Sequence, residues 1–202
     1  KRVLDNHREI IYGGVLTGLV YCTGLLLQGV GTGLTTASNS AFITGLNVLF
    51  VHVYIAFKNK SYEIALGVEL VLGLSGLYLL TTPTGGLGLG DVLVLLGAVA
   101  WAAQVLLVSR FGGFNPLVFT WCEMLPSIIF LFPDLFMNGF SIDMRSLAGL
   151  LYLGVFCSAI AFALQAYGQR SVKPEIASLI YLLEPVVASF FAYITLGETL
   201  TP

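Results

Sequence analysis

Glu184 and Pro185 stand side by side near the middle of the apolar run PEIASLIYLLEPVVASFFAYITL, residues Pro174 to Leu196. At about 1.5 Å of rise per residue, such a run is long enough to cross a hydrocarbon layer of roughly 30 Å. A carboxylate at that depth costs roughly 2.5 to 3.5 kcal/mol, and a proline removes a backbone hydrogen bond from the helix. Two structures account for the pair. One is a helix kinked at Pro185, with Glu184 protonated and bonded to a neighbouring helix; the other is a discontinuous helix whose acid faces a solute cavity. The cavity is the favoured reading, because ionisable groups at membrane depth usually face a bundle interior. A protonated Glu184 in that position could carry a proton through a transport cycle.

Other polar side chains lie in apolar surroundings. Glu123 sits about 10 Å along its own apolar run, where cavity lining and an interhelical hydrogen bond weigh equally. Trp101 and Gln104 share one run, and the indole offers either an aromatic wall to a solute or a helix contact. Tyr181 lies three residues before Glu184 and so on nearly the same helical face. Glu69 is nearer a run's end, where a hydrated crevice would accommodate it. Gln28 and Gln165 are placed to cap or to bond between helices. His52 reads as a structural or interfacial group rather than a proton relay. Cys22, Cys122 and Cys157 show no CxxC or Cys/His spacing, so they read as small core residues, with no metal site or cofactor implied.

The chain that must position these groups is 57% hydrophobic and 10% charged, with a mean hydropathy of +0.92. Soluble domains carry about a quarter charged residues, so this is an all-α polytopic transmembrane helical bundle bound to a lipid bilayer. No basic patch suggests nucleic acid. Seven spans are visible: Ile10 to Gln28, Thr36 to Phe57, Tyr62 to Leu80, Val92 to Val108, Pro116 to Phe132, Ser146 to Tyr167, and Pro174 to Leu196. The Gly14-x-x-x-Gly18 spacing of the first would allow close helix approach. Asp91 suits a helix N-cap after the TTPTGGLGLGD loop, and Asp134 to Arg145 forms a polar connection.

Lys1, Arg2, Arg8, Lys58, Lys60, Arg110, Arg170 and Lys173 all fall on connections of one side. The positive-inside rule makes that side cytoplasmic. Asp91, Asp134, Asp143 and Glu198 fall on the other, with Arg145 their only basic companion.

Sliding the chain along itself by about 137 residues places Leu27-Gln28 on Leu164-Gln165, Gly31 on Gly168, Ile43 on Ile180, Leu46 on Leu183, and Asn47 on Glu184. Span one runs outward while its match, span six, runs inward. Matched elements of opposite topology are the mark of inverted-repeat carriers, and the repeat puts Asn47 and Glu184 at equivalent depth.

TTASNSAFITGLNVLFV, GDVLVLLGAVAWAAQ and SLIYLLEPVVASFFAYITLGETLT resemble the EamA-type members of the drug/metabolite transporter superfamily. The resemblance implies two inverted five-helix repeats, with residues 1–81 a partial first repeat and 87–202 a partial second. The seven spans would then be helices three to nine of ten, in a multi-pass cell-membrane protein, of the bacterial inner-membrane kind. KNKSYE departs from the family's LGE.LT pattern at the matching end of the first half.

Rival classes find little support. Gly88-Leu89-Gly90-Asp91 matches the GxGD of intramembrane aspartyl proteases, yet no second aspartate falls within a span to share a proton. No lysine lies in mid-membrane, as a retinal receptor needs, and no HExxH, GxSxG or phosphate loop points to an enzyme. No ring of charge or repeated carbonyl motif marks a channel. The sequence therefore reads as a secondary transporter of a small organic solute working by alternating access, with proton coupling and homodimerisation open. Its proposed cavity residues are Asn47, Trp101, Gln104, Glu123, Tyr181 and Glu184. The absence of Lys or Arg at that depth argues against strongly anionic solutes. The alternative is a carrier-like scaffold or receptor that moves nothing.

Overall fold

The computed structural model describes residues 2–60, 63–81, 83, 87–113, 115–129 and 143–196, and every regular element among them is helical. In chain order these are α1 (Arg2–Thr32), α2 (Ala37–Gly45), α3 (Asn47–Asn59), α4 (Ile64–Thr81), α5 (Leu89–Phe111), α6 (Pro116–Met124), α7 (Met144–Tyr152), a π-helical stretch (Leu153–Ile160), α8 (Ala161–Gln169), α9 (Pro174–Tyr181) and α10 (Leu183–Leu196). Asp134, the end of the fifth span at Phe132, the start of the third at Tyr62, and Glu198 lie outside the described residues.

Local chemistry sets many of the helix ends. Thr36 accepts from the Asn39 N–H at 3.1 Å to open α2, and Asn115 accepts from Val118 N–H ahead of Pro116. Asp143 does the same for α7 through Ser146 N–H at 2.6 Å. Each side-chain oxygen satisfies a backbone donor that the first turn leaves open. Lys60 stops α3 in the left-handed region, at φ 51°. Asp91 differs from the N-cap expected for it. It lies inside the first turn of α5, and its Oδ2 accepts the N–H of Gly88 at 2.8 Å, so it reaches back to the cap as the acid of a capping box.

Among the described residues, five stretches are long and apolar enough to cross a membrane: His7–Thr32, Ala37–Asn59, Ile64–Thr81, Leu89–Phe111 and Ser146–Gln169. The fifth and seventh sequence spans are interrupted. Leu125 and Pro126 form a turn after α6, and the seventh is split at Leu182 into α9 and α10.

The chain packs as two compact units, each drawn from separate parts of the sequence: Lys1–Cys22 with Leu106–Val172, and Thr23–Val105 with Lys173–Pro202. In the first, α6 lies against α8 and Ile10, Val108, Phe119 and Ala166 form a buried core with Phe111 against it. The first half of α1 presses on α6 through the small-residue pair read from the sequence. A Cβ added at Gly14 would stand 2.9 Å from the Phe119 carbonyl oxygen, and one at Gly18 would collide with the backbone of Glu123. Tyr21 meets Phe162 edge to face, with centroids 4.9 Å apart.

In the second unit the second half of α1 packs against the first half of α5 just as closely. A Cβ at Gly31 would lie 2.8 Å from the Gly90 carbonyl oxygen, and one at Gly97 would lie 3.2 Å from that of Gly24. Backbones approach this closely only where side chains are absent. α2 packs on α4, with Phe42 and Tyr78 edge to face at 5.7 Å. α9 packs on both α3 and α4.

Candidate functional site

Two helices of the second unit are broken in the same way. Between α2 and α3, Leu46 has φ −64° and ψ −8°, and its N–H bonds to Ile43 at 3.1 Å rather than one residue further back. Between α9 and α10, Leu182 has φ −63° and ψ −13°, and its N–H bonds to Leu179 at 3.1 Å. Pro185 is compatible with the second break, since it has no N–H to give the Tyr181 carbonyl and its ring crowds that carbonyl. No proline follows Leu46 within a turn. There, Gly45 leaves the space that the Leu77 side chain of α4 fills. The seventh span is thus divided at Leu182 into two helical segments.

Several of the sequence-derived residues lie at these breaks. Asn47 is the first residue of α3, half-buried, and its Oδ1 is buried with no hydrogen-bond partner among the described residues. Tyr181 closes α9 and is half-buried. Glu184 is the second residue of α10 and is exposed. Its place in the first turn suits a negative charge at the positive end of a helix dipole. Trp101 and Gln104 belong to α5; Gln104 is fully buried. The Trp101 Nε1–H donates to Gln28 Oε1 at 2.8 Å. This bond uses the interhelical role that Gln28 suggested in the sequence.

The structure thus brings Asn47, Trp101, Gln104, Tyr181 and Glu184 into the second unit, and Glu123 into the first. Glu123 is fully buried on α6, where α1 packs through Gly14 and Gly18. Cys22 and Cys122 are buried thiols of the same unit, whereas Cys157 is exposed.

The second unit also contains an open cavity of about 440 Å³ between α4 and the α9–α10 break. Glu69, Leu72, Gly73, Gly76, Leu77 and Leu80 line one wall, and Leu179, Leu182, Leu183, Pro185 and Val186 the other. None of the six sequence candidates is in its lining, although Leu183 and Pro185 flank Glu184. Glu69 is its one ionisable lining residue. The readable signal was the Gly73/Gly76 pair in its lining, with Gly73 leaving α4 without a side chain opposite Leu182.

A second polar arrangement joins α3 to α9. His52 is 2% exposed and its Nε2 lies 3.1 Å from the Glu175 carbonyl oxygen. Ser178 Oγ donates to the same oxygen at 2.8 Å. Nearby at the same end, Lys173 and Glu63 form an exposed ion pair at 3.9 Å.

Apolar spans, close glycine-lined helix contacts, and polar residues held at helix breaks define a multi-pass membrane protein of the cell membrane. Comparison with known proteins specifies its family. The profile of the EamA-like transporter family matches residues 88–202. The chain is 28% identical over 193 residues to an uncharacterized transporter of Archaeoglobus fulgidus, covering 94% of this chain and 62% of that protein. It is 28% identical over 195 residues to the uncharacterized inner membrane transporter YedA of Escherichia coli K12, covering 88% and 63%. One crystal structure superposes with a TM-score of 0.72 over 95% of this chain and 81% of its own, at 14% identity, a likeness of fold alone. The chain belongs to the EamA-like transporter family, and it spans 62% of the length of the first of these relatives.

Proposed function

We propose that the protein is a secondary transporter that moves a small organic solute across the membrane by alternating access. The observation that carries this reading is the matched pair of breaks at Leu46 and Leu182. They fall on spans two and seven, which the internal repeat relates with opposite orientation, so residues 1–81 and 87–202 act as inverted repeats. Each break starts a new half-helix, and Asn47 and Glu184 occupy the opening turns of the two. Broken helices at membrane depth are tolerated where they are buried in protein or line a cavity, and their free termini can bind a solute. Asn47, Trp101, Gln104, Glu123, Tyr181 and Glu184 are the proposed solute-binding residues. Glu184 is the proposed carrier of a coupled proton.

The test is solute counterflow in liposomes holding the full-length protein, with a mixed pool of labelled amino acids, amines and neutral metabolites read by mass spectrometry. Accumulation of one class supports the reading and names the substrate. No accumulation by folded, inserted protein favours the scaffold or receptor alternative. With a substrate in hand, Glu184→Gln keeps shape and hydrogen bonding but cannot release a proton. Uptake by that variant is expected to lose its dependence on a pH gradient, and an unchanged dependence rules Glu184 out as the carrier.

A further inference from the structure

Two of the apolar spans, Leu89–Phe111 and Ser146–Gln169, finish beside one another in the first unit. A Cβ added at Gly112 would stand 3.4 Å from Ala166 Cβ, and one at Gly113 would stand 4.0 Å from Cγ of Arg170. The ends of spanning helices lie where the hydrocarbon of a bilayer gives way to its headgroups.

Polar side chains at this junction are left open. The Gly112 N–H bonds to the Val108 carbonyl at 2.8 Å, so the register of α5 continues through Gly112. Ser109, three residues before Gly112, therefore shares the face that meets Ala166, and Gln169, three residues after Ala166, shares the opposing face of α8. Gln169 is 5% exposed. Both polar atoms of its amide, and the Ser109 hydroxyl, are buried with no hydrogen-bond partner among the described residues. Buried polar atoms are nearly always bonded, so an open amide and an open hydroxyl on facing helices point to an occupant from outside the two.

Arg110 and Arg170 flank the junction, both exposed. Neither forms an ion pair with a described residue, and nor does Glu9, an exposed acid of α1. Arg110 lies over the Phe111 ring at 5.0 Å and Arg170 over the Tyr167 ring at 5.4 Å. A guanidinium held over a ring keeps its in-plane N–H groups for an acceptor, and phosphate oxygens suit that fork.

We infer that Arg110, Arg170, Gln169 and Ser109 form a binding site for the phosphodiester of an anionic phospholipid headgroup. The two guanidiniums neutralise the phosphate, Gln169 Nε2 and Ser109 Oγ donate to its oxygens, and Gln169 Oε1 accepts from a headgroup hydroxyl such as phosphatidylglycerol carries. The site needs no solute, so it stands or falls apart from the transport reading.

The test is native mass spectrometry of the full-length protein in detergent, titrated with phosphatidylglycerol or with phosphatidylcholine, each variant first matched to the parent in helix content. Phosphatidylglycerol is expected to bind the more tightly. Arg110→Gln combined with Arg170→Gln is expected to weaken that binding about tenfold or more, the worth of one charge-assisted bond. Gln169→Leu, which keeps every charge, is expected to weaken it several-fold. Lys58→Gln combined with Lys60→Gln removes as much charge from exposed positions in the other unit and is expected to change it little. Equal affinity for the two lipids, equal losses from the lysine and arginine pairs, or binding that Gln169→Leu leaves unchanged overturns the inference. So does displacement of the bound lipid by inorganic phosphate alone, which would assign the site to a soluble phosphate.

Discussion

Leu46 and Leu182 lie 136 residues apart and hold almost the same backbone, with φ and ψ of −64° and −8° at the first and −63° and −13° at the second. Only the second has a proline behind it. The shared geometry therefore belongs to the packing around the two spans more than to the pyrrolidine ring.

Pro185→Ala tests that conclusion. The variant restores the missing N–H, and in an isolated helix it would favour continuity. In the folded protein the break is expected to persist, with the amides of residues 182 to 186 exchanging faster with solvent than those inside α9. Exchange as slow as in the helix interior would show that proline alone makes the break.

The indole of Trp101 is bonded to Gln28 across the α1–α5 contact. Interhelical hydrogen bonds in membranes are worth about 0.6 kcal/mol on average and up to about 1.7. Trp101→Phe and Gln28→Leu should each destabilise by that order in unfolding from detergent micelles, and the double variant should cost less than the two added together. Additive losses would mean that the bond contributes nothing.

Glycine contacts should be far less forgiving. At Gly31 a Cβ would stand 2.7 Å from Val94 Cγ2 and 2.8 Å from the Gly90 carbonyl, and a carbonyl cannot rotate away as a side chain can. Gly31→Val is expected to destabilise by about 1 to 3 kcal/mol or more, as overpacking does. Gly29→Ala, which meets nothing within 4 Å, should be neutral or slightly stabilising. Thermal unfolding of both variants checks the contrast, and equal effects would refute the close contact.

Asp91 gathers three bonds: from Thr35 Oγ1 at 2.6 Å, Asn39 Nδ2 at 3.4 Å and the Gly88 N–H at 2.8 Å. It is 4% exposed. Asp91→Ala leaves those donors without their acceptor and should cost about 1 to 3 kcal/mol. Asp91→Asn retains an acceptor and should recover part of the loss. Stability of Asp91→Ala within error of the parent would mean that water replaces the carboxylate at no cost.

The apolar spans, the Gly14/Gly18 contact and the tension at Glu184-Pro185 could be read from residues alone. Each depends on local composition: run length against bilayer thickness, missing Cβ atoms, and a ring with no N–H. The break at Leu46 could not. Nothing within a turn of it forbids a helix, and what shapes it is Leu77 from another span settling on Gly45. Asp91 was correctly placed at a helix start but one role off, since an N-cap and the acid of a capping box differ only in which residue turns out of the helix.

The candidate site divides along the same line. Sequence by itself determined the all-helical membrane class, the spans, and which polar residues are costly enough at depth to need a partner, because desolvation acts on each residue wherever the fold puts it. Tertiary structure alone decided the partners. It gave Trp101 to Gln28, buried Glu123 where α1 meets α6, made Glu69 the ionisable wall of the cavity, and turned His52 onto the backbone of Glu175, 123 residues away. A contact over that separation depends on how helices pack. Packing is set by shape and volume across several spans at once, which no local pattern in the chain records.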